Sequence, residues 1–457
     1  MRTLAVLLLA VCVATAAELR VGTGAVKITP PPGAPMAGYY YNRAADGVHD
    51  DLWAKAIVID AGGERAAIVA CDISGLPRPV IEQARREIEK DPGIPPGRVM
   101  ISATHTHTGP VVLSGPTRYN LQGEMLRIGQ QYAADLPKRI AEAVRQAASA
   151  VKPARVAAGR GREDSLTFNR RFFLKDGTVG WNPGKRNPNI LRPAGPIDPG
   201  VPVVLFEAPD GKAMAAHVNY ALHLDTVGGT EYSADYPYTL SRLLAQARGD
   251  DLLTLFSIGC AGNLNHIDVN WTDRQKGHNE AARIGTVLAG EVLKTMKRLE
   301  AMPAGSLRAR STTVELPLAQ VRPEDLEWAR RITPTFGTDK PAPFMDLVRA
   351  FKFADVAERK GAPLEAEVQV IALGDELAWV GLPGEIFTEH GLALKTASPF
   401  RYTVISELAN GSLGYVPDRR AYPQGAYEAE SARCGPGSGE MMVDAAVRML
   451  VELRQAK

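Results

Sequence analysis

Cysteine is scarce in this chain: four residues in 457, one of them, Cys12, within the first seventeen. The other three, Cys71, Cys260 and Cys434, allow at most one intramolecular bridge. A chain of this length buries enough core without staples, so disulfides are not what holds the fold. An excess of charge of one sign is also missing. Fifty-three basic residues face 51 acidic ones, a formal net charge of +2, which offers neither nucleic acid nor a membrane surface a broad electrostatic footing. Beyond the amino terminus no apolar run approaches the roughly 18 residues of a spanning helix, which excludes a transmembrane segment there. What is present is ordinary for a folded protein, 45% apolar and 23% charged. Glycine (43) and proline (33) make up about one residue in six, which predicts long irregular connections without low complexity.

The amino terminus reads as a secretory signal. Arg2 provides the positive start, Leu4 to Ala14 is an apolar run too short to span a bilayer, and Ala14-Thr15-Ala16 is a small-residue cleavage site. Residues 1–17 are therefore expected to be removed, and residues 18–457 to be exported to the periplasm or the exterior.

Apolar runs rich in Val and Ile predict buried strands at Lys55–Asp60, Ala66–Cys71, Val99–Ala103, Val201–Phe206, Leu252–Ile258, Val368–Leu373 and Tyr402–Ser406. Helical periodicity runs between them, through Ile128, Tyr132, Leu136, Ile140 and Val144, and again through Ile284, Val287, Leu288 and Val292. The alternation predicts an α/β fold, a mixed sheet layered with helices. Residues 173–200 lack periodicity and are dense in Gly and Pro, so they are expected to be a long functional loop. Sequences on both sides of it carry candidate site residues, which favours one large catalytic domain with no carboxy-terminal β-sandwich.

The strongest local signal for chemistry is Thr104-His105-Thr106-His107-Thr108-Gly109-Pro110, directly after the strand Val99–Ala103. Alternation along a strand would place both imidazoles on one face at a strand end, where sites of α/β sheets gather. By themselves they are equally well polar decoration. His223 follows a strand-like run, Glu385 follows the strand Leu377–Val380, and Tyr415 lies in a Gly-rich segment. Each has a plain alternative: a satisfied buried histidine, an acid in the first turn of a helix starting near Ile386, and a core aromatic. Gly22-x-Gly24 lacks the helix and ribose acid of a nucleotide site. Asp72, at another strand end, is a candidate supporting residue.

These segments, in this order, resemble the amino-terminal catalytic domain of the neutral/alkaline, non-lysosomal ceramidases. The similarity runs from Val21-Gly22-Thr23-Gly24 and Ile28-Thr29-Pro30, through the seven-residue His motif and Leu382-Pro383-Gly384-Glu385, to Tyr415 and Tyr427-Glu428, with Tyr422 between the two tyrosines. The resemblance implies a Zn²⁺ site made by His105, His223, Glu385 and Tyr415, an N/O ligand set suited to that ion. It also implies that His107, Arg170 and Tyr427 surround the reacting carbonyl, with Arg171 the competing choice for Arg170.

One departure bears on mechanism. Where the family has a Gly-Asp-x-Ser-Pro run, this chain has Gly262-Asn263-Leu264-Asn265-His266. Asn265 forms no acyl-enzyme, so the expected route is metal-activated water, with Asn265 orienting that water or donating to an oxyanion. A rival nucleophile is Cys260, in the small-residue turn Gly259-Cys260-Ala261-Gly262, provided that His266 or His107 lowers its pKa; a buried, inert cysteine is the commoner outcome. The expected function is an exported zinc hydrolase cleaving the amide of a ceramide-like N-acyl lipid, a small-molecule or lipid substrate. The alternatives are a zinc hydrolase for another amide or ester, and a non-catalytic homologue that keeps the metal.

Overall fold

The structure is a computed structural model that describes residues 18–456 apart from 116–118, 120 and 250. The segment read as a secretory signal, Cys12 included, lies outside these residues.

Three sheets carry the fold, each ending in one parallel pair. The first comprises β1 (Leu19–Lys27), β2 (Trp53–Ala61), β3 (Glu64–Cys71) and β4 (Val99–Ala103), with helices α1 (Arg78–Lys90) and α2 (Gly123–Ser149) on its outer face. The second comprises β5 (Arg155–Arg162), β6 (Gly200–Glu207), β7 (Ala213–Tyr220) and β8 (Leu253–Ile258), covered by α3 (Tyr236–Arg248) and α4 (His278–Met296). The third comprises β9 (Leu307–Leu316), β10 (Leu364–Leu373), β11 (Leu377–Gly381) and β12 (Tyr402–Ser406). The hairpin α5 (Pro323–Ile332) and α6 (Phe344–Glu358) is inserted between β9 and β10, and α7 (Thr388–Ala397) and α8 (Ser438–Gln455) follow. Pairs β3/β4, β7/β8 and β11/β12 are parallel and the other neighbours antiparallel.

The inner faces share one central core. In β2, Ala54, Ala56 and Val58 pack outward under the helices, whereas Ile57, Ile59 and Ala61 turn inward. In β6, Val201, Val203 and Leu205 face α3 and α4 while Val204 and Phe206 point inward; in β10 the inward residues are Ile371 and Leu373. Burial on both faces explains why β2 and β6 are mostly apolar, whereas the first half of β10 alternates Glu365 and Glu367 with buried Leu364, Ala366 and Val368.

One expectation holds and one is corrected. The expected α/β architecture of mixed sheet layered with helices is present, its strands shared among three main sheets, and the correction concerns the loop. Residues 173–200 are not structureless: Arg171–Leu174, Val179–Trp181 and Ile190–Pro193 form a three-stranded antiparallel sheet. Tight turns at Gly177 (φ 83°) and Gly184 (φ 94°) let these short strands form in a segment too rich in Gly and Pro to show periodicity.

Cys71, Cys260 and Cys434 are buried free thiols. Gly22 and Gly24 serve packing. A Cβ on Gly22 would lie 1.9 Å from the Ala147 carbonyl oxygen, and one on Gly24 2.1 Å from that of Ala143, so α2 rests directly on the β1 backbone. Gly22→Ala should therefore lower the urea midpoint by the equivalent of about 1–3 kcal/mol. Gly290→Ala, on the open face of α4 where an added Cβ meets nothing within 4 Å, should leave stability unchanged or slightly raised.

Candidate metal centre

The carboxyl ends of the three parallel pairs converge. Chain leaving β3 supplies Ser74, chain leaving β4 supplies His105 and His107, and chain leaving β7 supplies His223. The turn after β8 supplies Ala261 and Gly262, and the segments after β11 and β12 supply Glu385 and Glu407. Ligands at the carboxyl ends of parallel strands are the general rule for α/β sheets. Here three sheets obey it toward one point.

Strand alternation does not bring the two imidazoles together, contrary to expectation. The strand ends at Ala103, and His105 sits at φ 78°, a left-handed kink fixed by its N–H donating to the Ile73 carbonyl at 2.9 Å. His107 is held by its N–H on the Leu224 carbonyl at 3.0 Å, by Arg43 donating to its carbonyl, and by the edge of the Tyr39 ring. Gly38 lies against it, where a Cβ would come within 2.7 Å of the His107 Cβ.

Glu385 also departs from its plain alternative. It is not in the first turn of a helix, because α7 begins at Thr388 with Glu389 as its first-turn acid. Glu385-Ile386 instead pairs in parallel with Tyr415-Val416, which sets Glu385 beside Tyr415. Gly262 allows this approach: a Cβ there would sit 2.5 Å from the Glu385 carbonyl oxygen.

The polar tips then crowd together. His105 Nε2 lies 2.9 Å from His223 Nε2 and 3.4 Å from His107 Nε2. Glu385 Oε2, buried and without a hydrogen-bond partner, lies 3.4 Å from His105 Nε2 and 3.7 Å from His223 Nε2. The other ring nitrogens of the first pair face carbonyls, His105 Nδ1 on Ser74 at 2.7 Å and His223 Nδ1 on Ala261 at 3.3 Å. Each Nδ1 thus donates, and the two Nε2 lone pairs are left facing each other. A proton relieves one such contact; a divalent cation relieves all of them. Separations of 2.9–3.7 Å bracket the edge of about 3.3 Å expected for a tetrahedron with bonds near 2.0–2.1 Å. The donors fit a metal ion, and His105, His107 and His223 offer ligand nitrogens that all lie within 4.8 Å of one another.

Arg170 and Arg171 diverge. Arg170 Nη2 donates to the Tyr415 hydroxyl at 3.0 Å and to the Gly262 carbonyl at 2.7 Å, while Arg171 turns to Gly425 and Gln424. The fully buried Glu428 accepts from both, at 2.7 Å from Arg170 and 3.0 Å from Arg171. The Tyr427 ring lies 5.2 Å from that of Tyr415 and 4.6 Å from Trp181, which the three-stranded sheet delivers.

Electrostatics follow from burial and these partners. Burial opposes the Glu385 charge, yet His105 and His223 outweigh it and hold the carboxyl well below its usual range. Burial raises the Tyr415 phenol, with Arg170 pulling the other way. Burial and the neighbouring His105 pull His107 down to about 3. Burial works against the Arg170 charge, but Tyr415 and Glu428 keep it firmly protonated.

Other sequence-derived candidates stand apart from this cluster. Asn265 donates through Nδ2 to Asn182 Oδ1 at 2.9 Å and accepts the Ile267 N–H at 3.1 Å. His266 is bound to the Gln275 carbonyl at 2.8 Å and to Asp225 at 3.3 Å. The Cys260 thiol is buried, pushed up by burial and by Glu407. The cysteine route therefore lacks its premise of a histidine that lowers the thiol pKa. Sequence reasoning missed Ser74, Asp225, Glu407 and Glu428; only the last lay in a quoted motif, beside Tyr427. The cluster opens into a cleft of ≈ 840 Å³, lined by His105, His107, Glu385, Tyr415 and Tyr427 and roofed by the end of α6.

The family model for the neutral/alkaline non-lysosomal ceramidase, N-terminal, matches residues 19–174. Neutral ceramidase of Pseudomonas aeruginosa is 23% identical over 92% of this chain and 70% of its own length. The crystal structure of that protein superposes with a TM-score of 0.75, over 96% of this chain and 75% of the other. The chain is similar to the neutral ceramidases. Neutral ceramidase A of Dictyostelium discoideum is 27% identical over 47% of the chain and 29% of its own length. A ceramidase complexed with C2 superposes at 0.73, with 21% identity, over 96% of this chain and 76% of the other. The family match covers the first sheet and the His motif.

The buried double ion pair gives a test. Glu428→Gln leaves two enclosed guanidinium groups without their counter-charge and should cost about 3–5 kcal/mol in denaturant unfolding. Glu452→Gln, which breaks the exposed pair with Arg310, should change stability by no more than about 1 kcal/mol.

Proposed function

We propose that this chain is a zinc-dependent hydrolase of exported location, cleaving the amide bond of an N-acyl lipid of ceramide type. The observation that carries the reading is the meeting of His105, His223, Glu385 and Tyr415 from separate segments, two imidazole nitrogens 2.9 Å apart, with His105, Glu385 and Tyr415 on the wall of one cleft. These four would hold the ion. When bound, zinc supplies Lewis acidity toward a carbonyl oxygen and acidifies a nearby water.

The remaining roles fall to the chain's own groups. Arg170, fixed by Glu428, places a permanent positive charge on the Tyr415 oxygen and favours its phenolate. Tyr427 lines the cleft beside Tyr415, a position from which its phenol would donate to a developing oxyanion. His107 lines the same cleft with Nδ1 unpartnered, placed to take a proton from attacking water and return it to the leaving amine. Asn265 acts at one remove: it holds Asn182, whose N–H donates to the Arg170 carbonyl at 2.8 Å, and so positions the arginine. No serine or cysteine nucleophile is needed. Export rests on the amino-terminal segment, and no helix of the described residues is long and apolar enough to cross a membrane.

A second reading, a zinc hydrolase for shorter or more polar acyl compounds, is favoured by the cleft wall. Pro110, Val111 and Leu413 share it with Asp355, Glu358 and Arg433, charges that a long acyl chain would have to pass. Hydrolysis rates over a series of N-acyl chain lengths separate the two readings. Rates rising with length support the lipid; a maximum at short chains supports the alternative.

His105→Ala and His223→Ala are expected to lose stoichiometric zinc by elemental analysis, and with it hydrolysis. His107→Ala and Tyr427→Phe should retain zinc and lose about 10²–10⁴ in kcat. Unchanged zinc content and activity in His105→Ala would sink the proposal.

A further inference from the structure

A second cavity of ≈ 530 Å³ lies between β1, β2, α3 and β8, and the hydrolytic reading makes no use of it. Its apolar wall includes Ala25, Trp53, Pro237, Leu253 and Phe256. Lys55 lies on the same wall, and its surroundings are anomalous. Its Nζ reaches only neutral oxygens, Ser241 Oγ at 3.3 Å and the Thr254 carbonyl at 3.2 Å, both long for contacts of an ammonium group. Among the described residues no carboxylate forms an ion pair with it. Thr254 Oγ1, on a residue 2% exposed, has no hydrogen-bond partner at all.

The acids around this space are bonded to groups other than Lys55. Asp51 is taken by Lys27 at 2.7 Å and Asp251 by Lys212 at 2.5 Å. Asp50, which faces Lys55 from behind the wall, accepts from Ser233 at 2.6 Å, Ala234 at 2.8 Å and His49 at 2.9 Å. Asp72 accepts the Trp53 N–H at 3.0 Å. Arg242 stacks on Tyr238 and has no acidic partner among the described residues. A half-buried amine with no ion pair of its own, beside an unused hydroxyl and an apolar surface, is a recognition site for a group that completes both.

We infer that this cavity binds a monocarboxylate with a short apolar tail, its carboxylate on the Lys55 ammonium and the Thr254 and Ser241 hydroxyls and its tail along Trp53, Leu253 and Phe256. The site adjoins the metal-ligand cluster through two wall residues. Thr104 directly precedes His105, and Asp72 lies two residues before Ser74, whose carbonyl orients the His105 ring. Binding does not rest on the proposed reaction. Its coupling to turnover does: a carboxylic acid is what amide hydrolysis of an N-acyl compound releases, so occupancy would report product to the His105 segment.

The test is calorimetric titration of metal-stripped protein with hexanoate, which keeps the metal from competing for the carboxylate. One saturable site is expected in the wild type and in His105→Ala. Lys55→Met removes the ammonium while keeping an apolar chain of similar length, so the fold survives, and affinity should fall at least about tenfold. Thr254→Val, which deletes only the unpartnered hydroxyl, should also weaken binding. Absence of saturable heat in the wild type overturns the inference, as does undiminished affinity in Lys55→Met or Thr254→Val. Binding lost in His105→Ala but kept in Lys55→Met would place the carboxylate at the histidine cluster and overturn it equally.

Discussion

Two imidazole nitrogens set 2.9 Å apart, each with its ring proton committed to a carbonyl on the far side, are the constraint around which the rest is arranged. Lone pairs do not tolerate that approach in a buried site unless a positive charge lies between them. The protein has organised three sheets to impose it. Ser74 and Ala261 fix the tautomers, the left-handed turn at His105 aims one ring, and the Glu385–Tyr415 ladder brings oxygen donors to the same place. The fold spends rigidity on holding like groups together, which is the signature of a cation site.

The sheets explain how residues more than three hundred positions apart meet. Each ends in a parallel pair whose carboxyl ends point to one region, and the shared core of Ile57, Phe206, Leu255, Trp379 and Val404 fixes their mutual orientation. A bonded polar chain crosses that core, Trp379 donating to His217 at 3.0 Å and His217 meeting Ser257 at 2.8 Å. Close backbone contact, at Gly262 against Glu385 and Gly38 against His107, sets the final spacing.

Much of this was legible in the sequence, for identifiable reasons. Doubly buried strands such as β2 and β6 are mostly apolar, and α2 carries a long stripe of period four, so element type and approximate bounds follow from pattern alone. The His-x-His motif announced itself by composition, yet alternation gave the wrong reason for its geometry, because the chain leaves the strand before His105. Glu385 and Tyr415 had plain alternatives that only their pairing removes; a two-residue parallel ladder between distant segments leaves no local trace. Backbone acceptors such as the Ser74 carbonyl carry no side-chain signal whatever. The 173–200 segment hid a small sheet because its strands, three or four residues each, are shorter than any periodicity can register.

The hairpin of α5 and α6 enters and leaves the third sheet between two adjacent antiparallel strands, and it packs through Phe336, Leu347 and Phe351 on Val111, Leu113, Tyr119, Leu121 and Leu126. None of the three strand ends that bear the histidines and the glutamate runs through it. The chamber above the ion site is accordingly a detachable module. Lineages sharing this scaffold are free to exchange the ceiling, and with it the shapes admitted, while inheriting the reactive floor intact.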